Sequence, residues 1–514
     1  MWAFSLLPAS LGVMLISCYG QQPYSPPSQT DAASRMQHHY ELAYRLQDQG
    51  DLTQADAEHT AFLLAALESV ATGYANIGDY IHAAPVYDEA LTLAPQNLPL
   101  ILDYSRAAID DNDPSRALAL LAPVLANHSI PLTRTQHARA QKIVAEAHWI
   151  LGHHQSALGA FLAATYSDPS YDNMVALASA MLSIRGHEAA HPIFAAALRT
   201  YGDSPRHRMD LGRAYGAYGF PDEAVAEFKQ VLAVAPDFPA AHYSLGAAYM
   251  GGAHADRTLA EKEFRMELAL NPHDTLCYSQ LGQIAQDRSD DREAEFDFLR
   301  ATELDPGNST NFLLLGALYY RLNQPEDAEP ALRRAIALTT DPEHNHWEIQ
   351  RAHYLLGRIL AASGNQTEAA SEFAIARSML GRNRQQQTER VAGDDITHKP
   401  LAKTRIAAPK DIAMFQDFLQ NLSPLIAAAY NNLGVHAAMA DKYDTAAKRF
   451  QHAAQWNPEL HSAYSNWGRA AFAAHDCAQA ISPLERAVER NPAGSELRSM
   501  LTTCRTALTT TKPE

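Results

Sequence analysis

The sequence predicts an all-α fold, a right-handed superhelical solenoid of stacked helix-turn-helix hairpins, on three observations. The dipeptides Leu211-Gly212, Leu245-Gly246, Leu281-Gly282, Leu315-Gly316, Leu356-Gly357, Leu433-Gly434 and Trp467-Gly468 lie 34, 36, 34, 41, 77 and 34 residues apart. A dominant spacing of this length is the mark of stacked helical hairpins. Between the dipeptides the same order of apolar, small and helix-stopping residues returns. Apolar positions such as Leu211 and Tyr215 recur at i, i+4, one face of a helix.

The copy from Pro205 to Pro236 shows why this pattern folds. Leu211, Tyr215 and Phe228 form an apolar stripe that one hairpin cannot bury alone, so copies must stack. Gly212 and Ala224 are placed as small residues where the two helices cross. Gly219 ends the first helix, Pro221 starts the second with Asp222 and Glu223 in its first turn, and Pro236 stops it.

Numbered from Pro205, these are a small residue at position 8, an aromatic at 11, Ala at 20, an aromatic at 24 and Pro at 32. The pattern resembles the tetratricopeptide repeat. Copies start near Leu64, Ala138, Thr275, Ser309, Gln350, Ala427 and His461, and weaker ones near Leu98, Asp172 and Pro239. The resemblance runs from Leu64 to Pro492 with one interruption and implies about eleven hairpins.

Taken in order, residues 1–18 read as a signal-like segment. Trp2 to Ile16 is an uncharged apolar run too short for an anchor helix, and Leu15-Ile16-Ser17-Cys18 resembles a bacterial lipobox, which makes Cys18 the lipidation candidate. No Lys or Arg precedes the run, a departure from the usual positive leader. Residues 19–34, with Pro23, Pro26 and Pro27 among Gln and Ser, read as a disordered tether. Residues 35–63 form a capping hairpin and 64–380 the main array, with two extra residues around Gly251 to Asp256 and seven at Thr339 to Trp347.

The insertion 381–424 begins as a polar, aperiodic loop. It then becomes an amphipathic helix carrying Ile412, Phe415, Phe418, Leu419 and Leu422, expected to cover the end of the preceding hairpin or to take a partner. Two further hairpins fill 425–494, and 495–514 is a capping helix and tail.

A net charge of -17 argues against nucleic acid or an anionic membrane surface as the main partner. The four cysteines, Cys18, Cys277, Cys477 and Cys504, make no C-x-x-C pair; Cys477 and Cys504 can face each other across the last hairpin, but two free buried thiols are the expectation. No H-E-x-x-H, phosphate-binding Gly loop or G-x-S-x-G occurs. His38-His39, His153-His154 and His344-x-His346 lack a carboxylate or Cys at ligand spacing, so no metal and no cofactor is expected. The chain reads as a non-enzyme.

The resemblance places a binding groove on the first helix of each hairpin. Arg213, Arg358 and Arg469 each follow the Gly of their copy, Arg106 holds the same register, and Lys142 lies one turn earlier in its own. Asn432 and Asn466 resemble residues that hold a peptide backbone. An inward Arg suits a carboxylate on an acidic or C-terminal peptide; the competing reading pairs it with an acid of the adjacent repeat. The expected function is a non-catalytic scaffold holding a peptide or protein partner in envelope assembly or secretion, facing the periplasm of a bacterium or secreted. The alternative is an accessory subunit of an envelope enzyme such as a polysaccharide-synthesis complex.

Overall fold

A computed structural model describes residues 27–126, 131–252, 255–339, 346–391, 408–491 and 494–510. Cys18, the signal-like segment and the first part of the expected tether lie outside them. The first helices are α1 Pro27–Asp48, α2 Leu52–Asn76, α3 Tyr80–Leu93, α4 Leu98–Asp110, α5 Pro114–Ala126, α6 Arg134–Ile150, α7 His154–Ser167 and α8 Tyr171–Arg185. Next come α9 His187–Tyr201, α10 Pro205–Ala217, α11 Pro221–Val234, α12 Ala241–Tyr249, α13 Arg257–Leu270, α14 Thr275–Asp287, α15 Asp291–Leu304 and α16 Ser309–Arg321. The last are α17 Pro325–Leu338, α18 His346–Ala362, α19 Gln366–Val391, α20 Pro409–Met439, α21 Tyr443–Trp456, α22 His461–Ala473, α23 Cys477–Arg490 and α24 Ser495–Thr510. Among the described residues there is no strand, and no helix is long and apolar enough to cross a membrane. The fold is an all-α solenoid of stacked helical hairpins.

Two compact units divide the chain. Residues 132–400 form one, in which α6–α19 pair successively as hairpins and the second helix of each pair packs on the first helix of the next. In five of the seven pairs, α10–α11 through α18–α19, the crossing is set by a glycine. A Cβ on Gly212 would lie 2.5 Å from Phe228 Cε1, one on Gly282 2.5 Å from Phe298 Cε1, and one on Gly357 2.8 Å from Phe373 Cε1. Real side chains never come so close, so only Gly lets the ring sit there. This corrects the expected partner: Ala224 faces Gly216, 3.8 Å from where its Cβ would be, while the Phe four residues on fills the tight crossing. The helix ends follow the sequence signals. Pro221 opens α11, Gly219 sits at φ +83° between the pair, and the Ser204 hydroxyl accepts from His207 N at the start of α10.

Residues 1–131 and 401–514 form the other unit, so the two ends of the chain share one core. Helix α2 packs against both α1 and α3, and the expected boundary between residues 63 and 64 falls in the middle of it. Helix α20 runs antiparallel to α2. Phe415 lies against Gly73 and Tyr74 at one end, and His436 reaches Asp56 at the other. Leu422, Leu425, Ile426 and Tyr430 share a buried cluster with Phe62, Leu63, Leu67 and Val70.

Three expectations are thereby corrected. The amphipathic helix of the insertion covers the N-terminal hairpin rather than the end of the preceding one, because its apolar face continues without a break into the repeat helix of α20. Helix α19 extends to Val391 into the expected polar loop, and α1 begins at Pro27 inside the expected tether. The remainder of that loop, 392–407, lies outside the described residues, as do 340–345 of the seven-residue insertion.

Cys477 and Cys504 form a disulfide that ties α23 to the closing helix α24, correcting the expectation of free thiols. Both lie where the two helices pack, with Cα atoms 4.8 Å apart, inside the distance a disulfide bridges. Cys277 stays a buried thiol whose pKa burial pushes well up.

Candidate partner-binding face

The first helices of the hairpins turn one side toward their own second helix, where Leu211, Gly212 and Tyr215 are buried on α10. The residue after the glycine is rotated about 100° away from it, since a helix turns by that angle per residue. It therefore leaves the crossing. In residues 132–400 this puts Arg213 in solvent on α10 and Arg358 in solvent on α18. Arg213 makes no ion pair or hydrogen bond among the described residues. Arg358 donates to Tyr354 Oη at 3.2 Å, and that hydroxyl, with Tyr320 nearby, raises the guanidinium pKa without neutralising the charge.

Two further residues belong with them. Arg206 on α10 and Arg351 on α18 are exposed, each seven residues ahead of its partner and so on the same helix side, two turns away. The signal was present, because both occupy position 2 of their copies, where the repeat register also turns a side chain outward. Lys142, on α6, is partly exposed.

The same register behaves differently in the unit built from both chain ends. Arg106 on α4 binds Asp110 one turn on at 2.7 Å, and Arg469 on α22 binds Glu496 of α24 at 3.1 Å with only 17% of its side chain exposed. Both are spent internally, which corrects their expected role as free groove cations. Asn432 and Asn466 are fully buried. Asn432 hydrogen-bonds Tyr44, and Asn466 donates from Nδ2 to Asn431 Oδ1 at 3.1 Å. No ligand reaches them. They are buried because the N-terminal hairpin packs over α20 and because α22 stacks on α20 and α21.

Beneath the exposed groups, cross-hairpin pairs hold the helices in register. Arg208 binds Glu227 at 2.7 Å, His242 binds Glu263 at 2.6 Å and His353 binds Glu372 at 2.5 Å, always from the fourth residue of the first helix region to the second helix. No group of three or more His, Cys, Asp or Glu among the described residues is placed to hold a metal.

Residues 78–129 match one family described as tetratricopeptide repeat, and residues 209–274 and 313–381 match a second family of the same description. No curated protein matches the chain. Similar solved structures include a tetratricopeptide repeat protein from Parabacteroides merdae, at 18% identity over 48% of this chain and 93% of that one with a TM-score of 0.34. Another is YrrB, described as a TPR protein with an unusual peptide-binding site, at 20% identity over 46% and 96% with a TM-score of 0.26. Yeast Tom70 aligns at 14% identity over 94% of this chain and 96% of that one, with a TM-score of 0.30. Repeats of this kind generally act as protein-interaction scaffolds and are typically non-catalytic. On the matched stretches and the paired helices that coincide with them, residues 78–129, 209–274 and 313–381 are tetratricopeptide repeats.

Proposed function

We propose that the protein is a non-catalytic scaffold that holds a peptide or protein partner on the first helices of residues 132–400, and that the partner presents carboxylates. The observation that carries this reading is the exposure of Arg206, Arg213, Arg351 and Arg358 on α10 and α18 in a chain of net charge -17. Arg257, Arg265, Arg288, Arg321 and Arg333 of the same unit, by contrast, bind acids within 3 Å. Among the described residues none of the four forms an ion pair, and an exposed guanidinium so placed is available to a carboxylate, with two parallel donors to offer.

The reading extends to the place of action. The Cys18 lipobox-like segment and the Cys477–Cys504 disulfide both suit a protein working in the cell envelope, since disulfides persist in oxidising compartments. The partner would then be a component of envelope assembly or secretion.

The test is affinity capture from the membrane fraction with the wild-type chain and with an Arg213→Ala/Arg358→Ala double variant of unchanged circular dichroism. A partner retained by the wild type and lost by the variant supports the proposal. Equal retention by both overturns the assignment of this face.

A further inference from the structure

The seam between α2 and α20 holds two buried histidines. His59 is completely shielded from solvent, and neither of its ring nitrogens has a hydrogen-bond partner among the described residues. Its neighbours are the Tyr44 ring from α1, at 5.4 Å between centroids, and the His436 ring from α20, at 6.4 Å. His436 is itself 5% exposed and spends Nδ1 on Asp56 at 2.6 Å, leaving Nε2 without a partner.

Charged and titratable groups from four helices face this spot. Helix α2 supplies Asp56, already engaged by His436. Helix α1 supplies the Tyr44 and Tyr40 hydroxyls, bonded to each other at 3.3 Å. Helix α20 supplies His436, and α21 supplies Arg449, which donates to the Leu433 carbonyl at 2.8 Å and feels Asp56. The seam thus offers a neutral imidazole a tolerable site and an imidazolium no free acceptor. Two positive charges would also face each other whenever His436 is protonated against Asp56.

We propose that this seam is an acid-released latch: protonation of His59 parts the C-terminal hairpins from the N-terminal ones on which they dock. The imidazole takes its proton from solvent as the seam opens, and the opened form keeps it. Burial, and then His436, hold the His59 pKa down at about 4, against 6.5 for the ordinary side chain. The direction is therefore fixed. The closed form is favoured in full above the ordinary value and loses ground as pH falls from 6.5 toward 4. At pH 5.0 the equilibrium constant for closing falls about thirtyfold relative to pH 7.5.

The histidines belong to residues 1–131 and 401–514 and the exposed arginines to residues 132–400, so the latch does not rest on the proposed function. The test is amide hydrogen exchange on the full chain at pH 7.5 and 5.0, corrected for the intrinsic pH dependence of exchange. Expected is a loss of protection of at least tenfold in α2 and α20 at pH 5.0, with α10 and α11 unchanged, and no such loss in His59→Phe. Equal protection of α2 and α20 at both pH values overturns the proposal. So does a loss that persists in His59→Phe, which would place the sensitive group elsewhere. Should His59→Phe fail to fold, His59→Gln removes the titrating group with a smaller, neutral side chain and carries the same two expectations.

Discussion

The Phe228 ring occupies the space that a side chain on Gly212 would need, with Cε1 2.5 Å from the position of a Cβ there. The same relation joins Gly246 to Phe264, Gly434 to Phe450 and, with leucine in place of the ring, Gly316 to Leu332 and Gly468 to Leu484. One contact, at a separation of sixteen residues in all of these pairs but Gly246–Phe264, where it is eighteen, sets how closely the two helices of these hairpins approach.

Gly212→Leu is expected to force the α10–α11 pair apart and to destabilise this region by about 1 to 3 kcal/mol or more, the range for overpacking a well-filled core. Phe228→Ala removes the filler instead and is expected to lose roughly 3 to 5 kcal/mol. Urea unfolding followed by limited proteolysis between Pro205 and Pro236 reads both. An unchanged midpoint in either variant would break the packing account.

The repeat register was legible because it depends on residues a few turns apart. Gly212, Pro221 and Phe228 state their own geometry. What could not be read depends on pairings far along the chain. Phe415 meets Gly73, and His436 meets Asp56, and nothing in either local pattern names the other. The same limit hid the acid that holds Arg469, because Glu496 sits on a helix outside the repeat register. Asn432 and Asn466 have the right position to meet a ligand yet are covered, since their helices gain neighbours that the periodicity does not show. Arg206 and Arg351 stand at position 2 of their copies, a local signal that the sequence does carry.

The disulfide between Cys477 and Cys504 closes a loop of 27 residues and holds α24 over the last hairpin. Replacing both cysteines by serine is expected to lower the stability of the C-terminal hairpin by on the order of 3 kcal/mol, from the chain entropy that the cross-link removes. Proteolysis should then begin in α24. Intact mass under non-reducing conditions checks the bond itself, and two alkylatable thiols at these positions after purification without reductant would contradict it.

Asp297 on α15 is 5% exposed and its Oδ2 has no partner among the described residues. Burial first, and then Glu293, push its pKa up from 3.8 to about 7, against the opposing pull of Arg265 and Arg288. The unfolded chain releases this proton near 3.8 while the folded one keeps it to about 7, so the stabilisation is present in acid and lost as pH rises between the two values. At pH 8 the penalty is on the order of 4 kcal/mol, three units at about 1.4 kcal/mol each. Asp297→Asn should therefore stabilise the protein at pH 8 and not at pH 4. Urea midpoints at the two values decide this, and a difference independent of pH would contradict it.

The most direct test of the proposed function measures affinity and stability in the same variants. Arg213→Ala, Arg358→Ala and their double variant are titrated against the captured partner, or against an acidic peptide and its amidated, uncharged counterpart. A charge-assisted contact to a carboxylate is worth roughly 1.5 to 3 kcal/mol. The double variant is then expected to lose more than tenfold in affinity, to bind with weaker salt dependence, and to keep the thermal midpoint of the wild type. A lowered midpoint with affinity per folded molecule intact would contradict the account, as would equal binding of the acidic and the uncharged peptide.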